Sequence, residues 1–340
     1  MRVLAFLAFV ALALPAPAQD PTSNVPADLE EAVRAAIERA APWTVRIEAL
    51  GGSAAGSGPL FDEEGKPRTF NPAVDAATTG VIVRSDGLIA TSTFNLETNP
   101  RILTVLLQDG REFTAKVLGK DTTRMIALIQ IEAEGLPTPE IAPVDEIEVG
   151  SWALALGRTF SAPREFPTVN LGIVSAKGRH GGRALQSDAS INPSNYGGPL
   201  VDVLGRALGI LVPMGEEGGP PAVEFYDSGI GFAIPLADVV PLVPRLAGGL
   251  SMSPGFLGVR ADETFAGPGV RVSEVLAGTA AEKGGMKAGD VLVSVDGTPV
   301  ENLAALQGIL AKKYAGDVVG LEIRREEREL GLLVTLMERP

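Results

Sequence analysis

Between Thr44 and Val212 the chain is a succession of short apolar runs separated by turn residues, and this pattern constrains the fold most. Thr44-Val45-Arg46-Ile47-Glu48 alternates polar and apolar side chains with period two. Runs follow over 80–84, 88–91, 102–107, 113–118, 126–131, 152–156, 169–174, 200–203 and 207–212. Asp86-Gly87 and Asp109-Gly110 fall between such runs, where a tight hairpin turn needs residues that tolerate positive φ. Strands of this length and spacing, with hardly any helical periodicity, predict a β-barrel or β-sandwich. The stretch 51–79 is rich in Gly, Pro and Ala without period and reads as an exposed loop between the first two strands.

The ends of this β region read differently. Asp28 is a candidate N-cap with Glu31 three residues on, and Leu29, Val33, Ile37 and Ala40 share one helical face before Pro42. Upstream, Arg2, the apolar run Val3–Leu14 and Ala16-Pro17-Ala18 have the order of a secretory signal over 1–18. That run is shorter than the roughly 20 residues a membrane-crossing helix needs, so no span is expected once the signal is cleaved. Export to a periplasm or cell envelope follows. Downstream, Pro235–Pro254 reads as a short helix and linker. The last 85 or so residues form a compact α+β unit: strands over 269–275, 291–295, 318–324 and 331–336, and an amphipathic helix over Asn302–Lys313.

Composition narrows the chemistry. The 42 acidic against 29 basic residues give a formal charge of −13, which argues against nucleic acid as a partner. The absence of cysteine removes disulfides, thiolate metal sites and a cysteine nucleophile. No cofactor is expected. The single histidine, His180, must serve any mechanism that needs imidazole, yet it stands in a Gly/Arg/Lys-rich stretch that reads as a solvated loop.

The segment Asp188-Ala189-Ser190-Ile191-Asn192-Pro193-Ser194-Asn195-Tyr196-Gly197-Gly198-Pro199-Leu200 resembles the nucleophile loop of HtrA-type trypsin-like serine proteases, Asp-Ala-x-Ile-Asn-x-Gly-Asn-Ser-Gly-Gly-Pro-Leu. Gly172–Ala176, Gly229–Pro235, Ser85–Thr91 and Ile126–Ile131 are similar to further strands of that family. The resemblance implies a mainly β fold: a chymotrypsin-like double six-stranded β-barrel over 28–248, followed by an α+β PDZ domain over 252–338. Such enzymes need a Ser hydroxyl to attack, a His to take its proton and an Asp to hold the His. Carried over position by position, the serine slot holds Tyr196, the histidine slot Phe94 and the aspartate slot Met125. Ser194 replaces a glycine beside the oxyanion hole, and Asp121 matches a second family aspartate, read as structural. Degenerate at all three positions, the chain is predicted to be a pseudoprotease and not an enzyme. The competing reading is an active serine-type endopeptidase of protein quality control that uses other groups.

In the second domain, Gly255-Phe256-Leu257-Gly258-Val259 resembles the carboxylate-binding loop of HtrA-type PDZ domains. The resemblance implies that Phe256, Leu257, Gly258 and Val259 receive protein C-termini or exposed apolar segments as an added strand, beside the helix over 302–313. Gly258 is expected to let the ligand backbone come close. The role implied is binding, scaffolding or chaperone-like capture, with assembly as a homo-trimer or pairing with an active paralogue as further partner readings.

Overall fold

The computed structural model describes residues 25–50, 77–97, 99–158, 166–215 and 228–339. The signal-like segment and most of the loop between the first two strands lie outside the described residues. Two closed six-stranded barrels and a smaller sheet follow one another along the chain. The first barrel is built from β1 (Thr44–Leu50), β2 (Thr78–Arg84), β3 (Leu88–Ser92), β4 (Ile102–Leu106), β5 (Glu112–Asp121) and β6 (Ile126–Gln130), closing in the order β1-β2-β3-β6-β5-β4. The second comprises β7 (Trp152–Gly157), β8 (Thr168–Gly178), β9 (Ala184–Ser187), β10 (Pro199–Val201), β11 (Ala207–Val212) and β12 (Gly231–Pro235), in the order β7-β8-β9-β12-β11-β10. Closure leaves neither barrel an edge strand to aggregate through.

The apolar runs become these strands because their alternate side chains fill the barrel interiors. Val45, Ile47, Val81, Ile89, Ile129, Leu154, Leu156, Ile210 and Ile234 belong to one buried cluster that spans both barrels. Helix α1 (Val25–Ala40) covers it with Val33, Ile37 and Ala40. The helix begins three residues before the expected cap, so Asp28 lies in its first turn, where a negative charge meets the exposed helical amides. β2 begins at Thr78, inside the stretch expected to be loop, because Thr78 and Thr79 are buried in the ladder to β1. β9, unmarked in the sequence pattern, is only four residues long and pairs β8 and β12.

The Pro-studded segment folds as three short helical turns over 236–247 and leads into the PDZ sheet. That sheet contains β13 (Val259–Ala261), β14 (Val270–Val275), β15 (Val291–Val295), β16 (Thr298–Pro299), β17 (Val318–Arg325) and β18 (Arg328–Thr335), in the order β13-β14-β15-β17-β18 with β16 on β15. Helix α2 (Leu303–Leu310) packs over it, its first turn capped by Asn302 Oδ1 accepting from the Ala305 amide at 2.9 Å.

Candidate functional site

Two places carry the sequence-derived residues. The first is where the barrels meet. Ser92 ends β3, and a 3₁₀ turn over Thr93–Leu96 sets Phe94 inward, buried. Another 3₁₀ turn, Pro193–Asn195, delivers Tyr196, whose ring meets Phe94 edge-on with centroids 5.2 Å apart and planes at 76°. Both rings join the apolar cluster of the second barrel, with Ala155, Val174, Ala189, Ile191 and Leu211. Burial pushes the Tyr196 phenol up to about 12, so its hydroxyl stays protonated at neutral pH. Met125 does not join these rings. It packs on the shared barrel cluster with its backbone at φ 57°, and its carbonyl accepts from the Thr93 amide at 2.8 Å.

The loop itself is held by groups the sequence reading did not single out. Thr79 Oγ1 donates to the Ser194 carbonyl at 2.7 Å, and Asn95 Nδ2 donates to the Tyr196 carbonyl at 3.0 Å and to Thr91 Oγ1 at 2.7 Å. Gly197, at φ +84°, leaves no room for a side chain: a Cβ there would lie 2.2 Å from Thr91 Oγ1. The Ser194 amide donates to Asn192 Oδ1 at 3.0 Å and the Tyr196 amide to the Pro193 carbonyl at 3.2 Å. Both therefore have acceptors within the loop. The Ser194 hydroxyl also donates to Asn192 Oδ1, at 2.5 Å.

His180 differs from its expectation. It is half-buried at φ 53°, with its ring edge-on to Phe232 at 4.6 Å, because the Lys/Gly/Arg stretch around it makes a tight turn against the second barrel. Asp121 is fully buried, as a structural aspartate would be. Its carboxylate accepts from the amides of Thr123 and Arg124 and from the hydroxyl of Tyr314 in the PDZ domain. Burial raises its pKa while the Arg124 guanidinium, 3.4 Å away, opposes the rise. Among the described residues no cluster of three or more His, Asp or Glu is arranged to hold a metal ion.

The second place is a groove of about 670 Å³ between β13 and α2. Phe256, Leu257, Gly258 and Val259 line one side and Leu303, Leu306, Gln307 and Leu310 the other. Among the described residues β13 pairs only with β14, and its other edge faces the groove. The amides of Leu257 and Gly258 donate to no acceptor among the described residues, while the Phe256 amide is taken by the Met337 carbonyl at 2.7 Å. Gly258 is required by the packing around it: at φ +87° a Cβ would fall 2.2 Å from that of Thr279. Arg183, Glu338 and Arg339, absent from the sequence reading, complete the rim. Nothing in their local sequence marks them, because the topology brings them there from two separate segments, one before β9 and one after β18.

Comparison with known proteins decides the family. The trypsin-like peptidase domain profile matches residues 78–210 and the PDZ profile residues 250–324. HhoA of Synechocystis sp., which carries a serine-protease name, is 30% identical over 94% of this chain and 88% of its own length. The chain belongs to the HtrA/DegP family of serine proteases. The periplasmic serine endoprotease DegP of Escherichia coli is 34% identical over 77% of this chain, which spans 57% of that relative's length. The solved HtrA-type protease AlgW with tripeptide superposes at a TM-score of 0.68 and 25% identity, over 91% of this chain and 97% of that one.

This membership corrects the expectation that the chain is not an enzyme, since its HtrA-family relatives are named serine endoproteases. The physical reason is that the side chains at 94, 125 and 196 bear on one mechanism, not on activity as such: hydrolytic sites recur with other sets of groups, and function is decided at the reacting atoms.

Proposed function

We propose that this HtrA-type chain works in protein quality control in the periplasm or cell envelope, recognising polypeptide C-termini in its PDZ groove. Hydrolysis, the activity named for its relatives, would have to run through groups other than those at 94, 125 and 196. The observation that carries the recognition reading is the open β13 edge beside an apolar groove, with the Leu257 and Gly258 amides free of acceptors among the described residues. An extended peptide end fits that arrangement: its backbone extends the sheet, its carboxylate meets the two amides, and its last side chain enters the leucine-lined groove.

Titration of the full chain with a fluorescent peptide ending in a free-carboxylate leucine should saturate, and amidating the peptide should abolish binding. Equal binding of both forms would remove the reading. Hydrolysis is measured separately, by cleavage of an unfolded protein. Tyr196→Phe is expected to leave that rate unchanged, because a buried phenol held up to about 12 is a poor nucleophile at pH 7. Loss of cleavage in this variant would place Tyr196 among the reacting groups.

A further inference from the structure

The groove has a charge character that its apolar walls do not account for. Of its lining residues, Arg183 and Arg339 are basic and Glu338 is acidic. Glu338 is engaged: its Oε1 accepts from the Ser253 hydroxyl at 2.7 Å. Arg339 is exposed, lies over the Phe256 ring with its guanidinium carbon 5.2 Å from the centroid, and makes no ion pair among the described residues. Arg183 reaches the rim from the second barrel, oriented by its Nε donating to the His180 carbonyl at 2.8 Å. Both arginines thus line the groove that the loop over 253–258 helps to wall, and the charge of Arg183 also acts on the buried Asp121 carboxylate.

In a strand added to β13, successive side chains point to opposite faces. The last side chain enters the groove, so the one before it points outward, toward the rim. The terminal carboxylate is already served by the Leu257 and Gly258 amides. We infer that the groove selects chain ends in which an acidic residue immediately precedes the apolar terminal one, with Arg339 and Arg183 as the specificity-determining cations. This rests on the recognition reading given above. The net charge of −13 opposes an acidic ligand at long range. That opposition is screened beyond roughly 8 Å at physiological salt, whereas the two rim arginines act at contact.

The test uses the full chain and three labelled decapeptides ending in leucine, identical except for Asp, Asn or Lys at the penultimate position, each also prepared as the C-terminal amide. The Asp peptide should bind about fivefold more tightly than the Lys peptide at low salt, with Asn between, and the ratio should shrink as salt is raised. Arg339→Glu should remove or invert the order, and Arg339→Lys should retain it. Equal affinities for the three peptides, with amidation still abolishing binding, would overturn this inference and leave the recognition reading standing. If amidation has no effect, or no peptide binds, both fall.

Discussion

Tyr196 places a hydroxyl in a nest of apolar side chains, and its consequences are measurable at the level of a single residue. Its raised pKa means that the unfolded chain releases the phenolic proton first as pH rises. The stabilisation is complete below about pH 10 and is lost as pH climbs through about 12, by up to roughly 1.4 kcal/mol per unit. Urea midpoints between pH 9 and 11 should fall in the wild type, and the Tyr196 component of that fall should vanish in Tyr196→Phe. Tyr196→Ser, which removes a buried ring packed on Phe94, is expected to cost about 3 kcal/mol and to gain no reactivity toward a fluorophosphonate probe. Labelling of that variant would reveal a base within reach of position 196. Met125 makes a different statement. A left-handed backbone disfavours β-branching, so Met125→Val should lower stability by about 1 kcal/mol more than Met125→Leu in chemical denaturation.

At the scale of elements, α2 forms one wall of the groove through leucines spaced at three, four and seven residues, and these do not contribute alike. Leu306 is buried in the PDZ core, while Leu303 is 37% exposed and faces the groove. Leu303→Asp should therefore leave the unfolding midpoint nearly unchanged and weaken peptide binding about tenfold, read by fluorescence anisotropy. The elements were also where the sequence was most readable. Period-two runs and Asp-Gly turns located most strands of both barrels, because the inward side chains must be apolar wherever one face is buried. β9 escaped because four residues carry too little alternation to register, and the start of β2 was masked by the Gly/Pro-rich stretch before it. Phe94, Met125 and Tyr196 were singled out by the motif residues that flank them, and the structure brings Phe94 and Tyr196 into contact while Met125 packs in a different cluster. The clamps on the Tyr196 loop, Thr79 and Asn95, were not singled out. Their partners are the carbonyl oxygens of Ser194 and Tyr196, in a loop more than 100 residues away in the chain, which leave no trace in side-chain pattern.

On the scale of the whole molecule, the junction between the first barrel and the PDZ domain is a polar clasp within an apolar seam. Tyr314 donates to Asp121 across 193 residues of chain and packs with Leu88, Leu128, Leu246 and Met252. The guanidiniums of Arg124 and Arg245 lie 5.1 and 5.3 Å from its ring centroid, and Arg245 also pairs with Asp317 at 3.1 Å. No sequence signal ties such distant residues together. Tyr314→Phe leaves the buried Asp121 carboxylate without its hydroxyl donor and should cost about 1–3 kcal/mol, with faster amide exchange over 119–124 and 252–256 than elsewhere. Uniform exchange across the chain would argue against a local clasp. The loop over 253–258 is tied to this same tyrosine: Pro254 bridges to Tyr314, and the Gly255 amide donates to the Lys313 carbonyl at 3.0 Å. Tension on a polypeptide held by its end in the groove would therefore be borne first by the Tyr314 anchorage and passed directly into the wall of the first barrel.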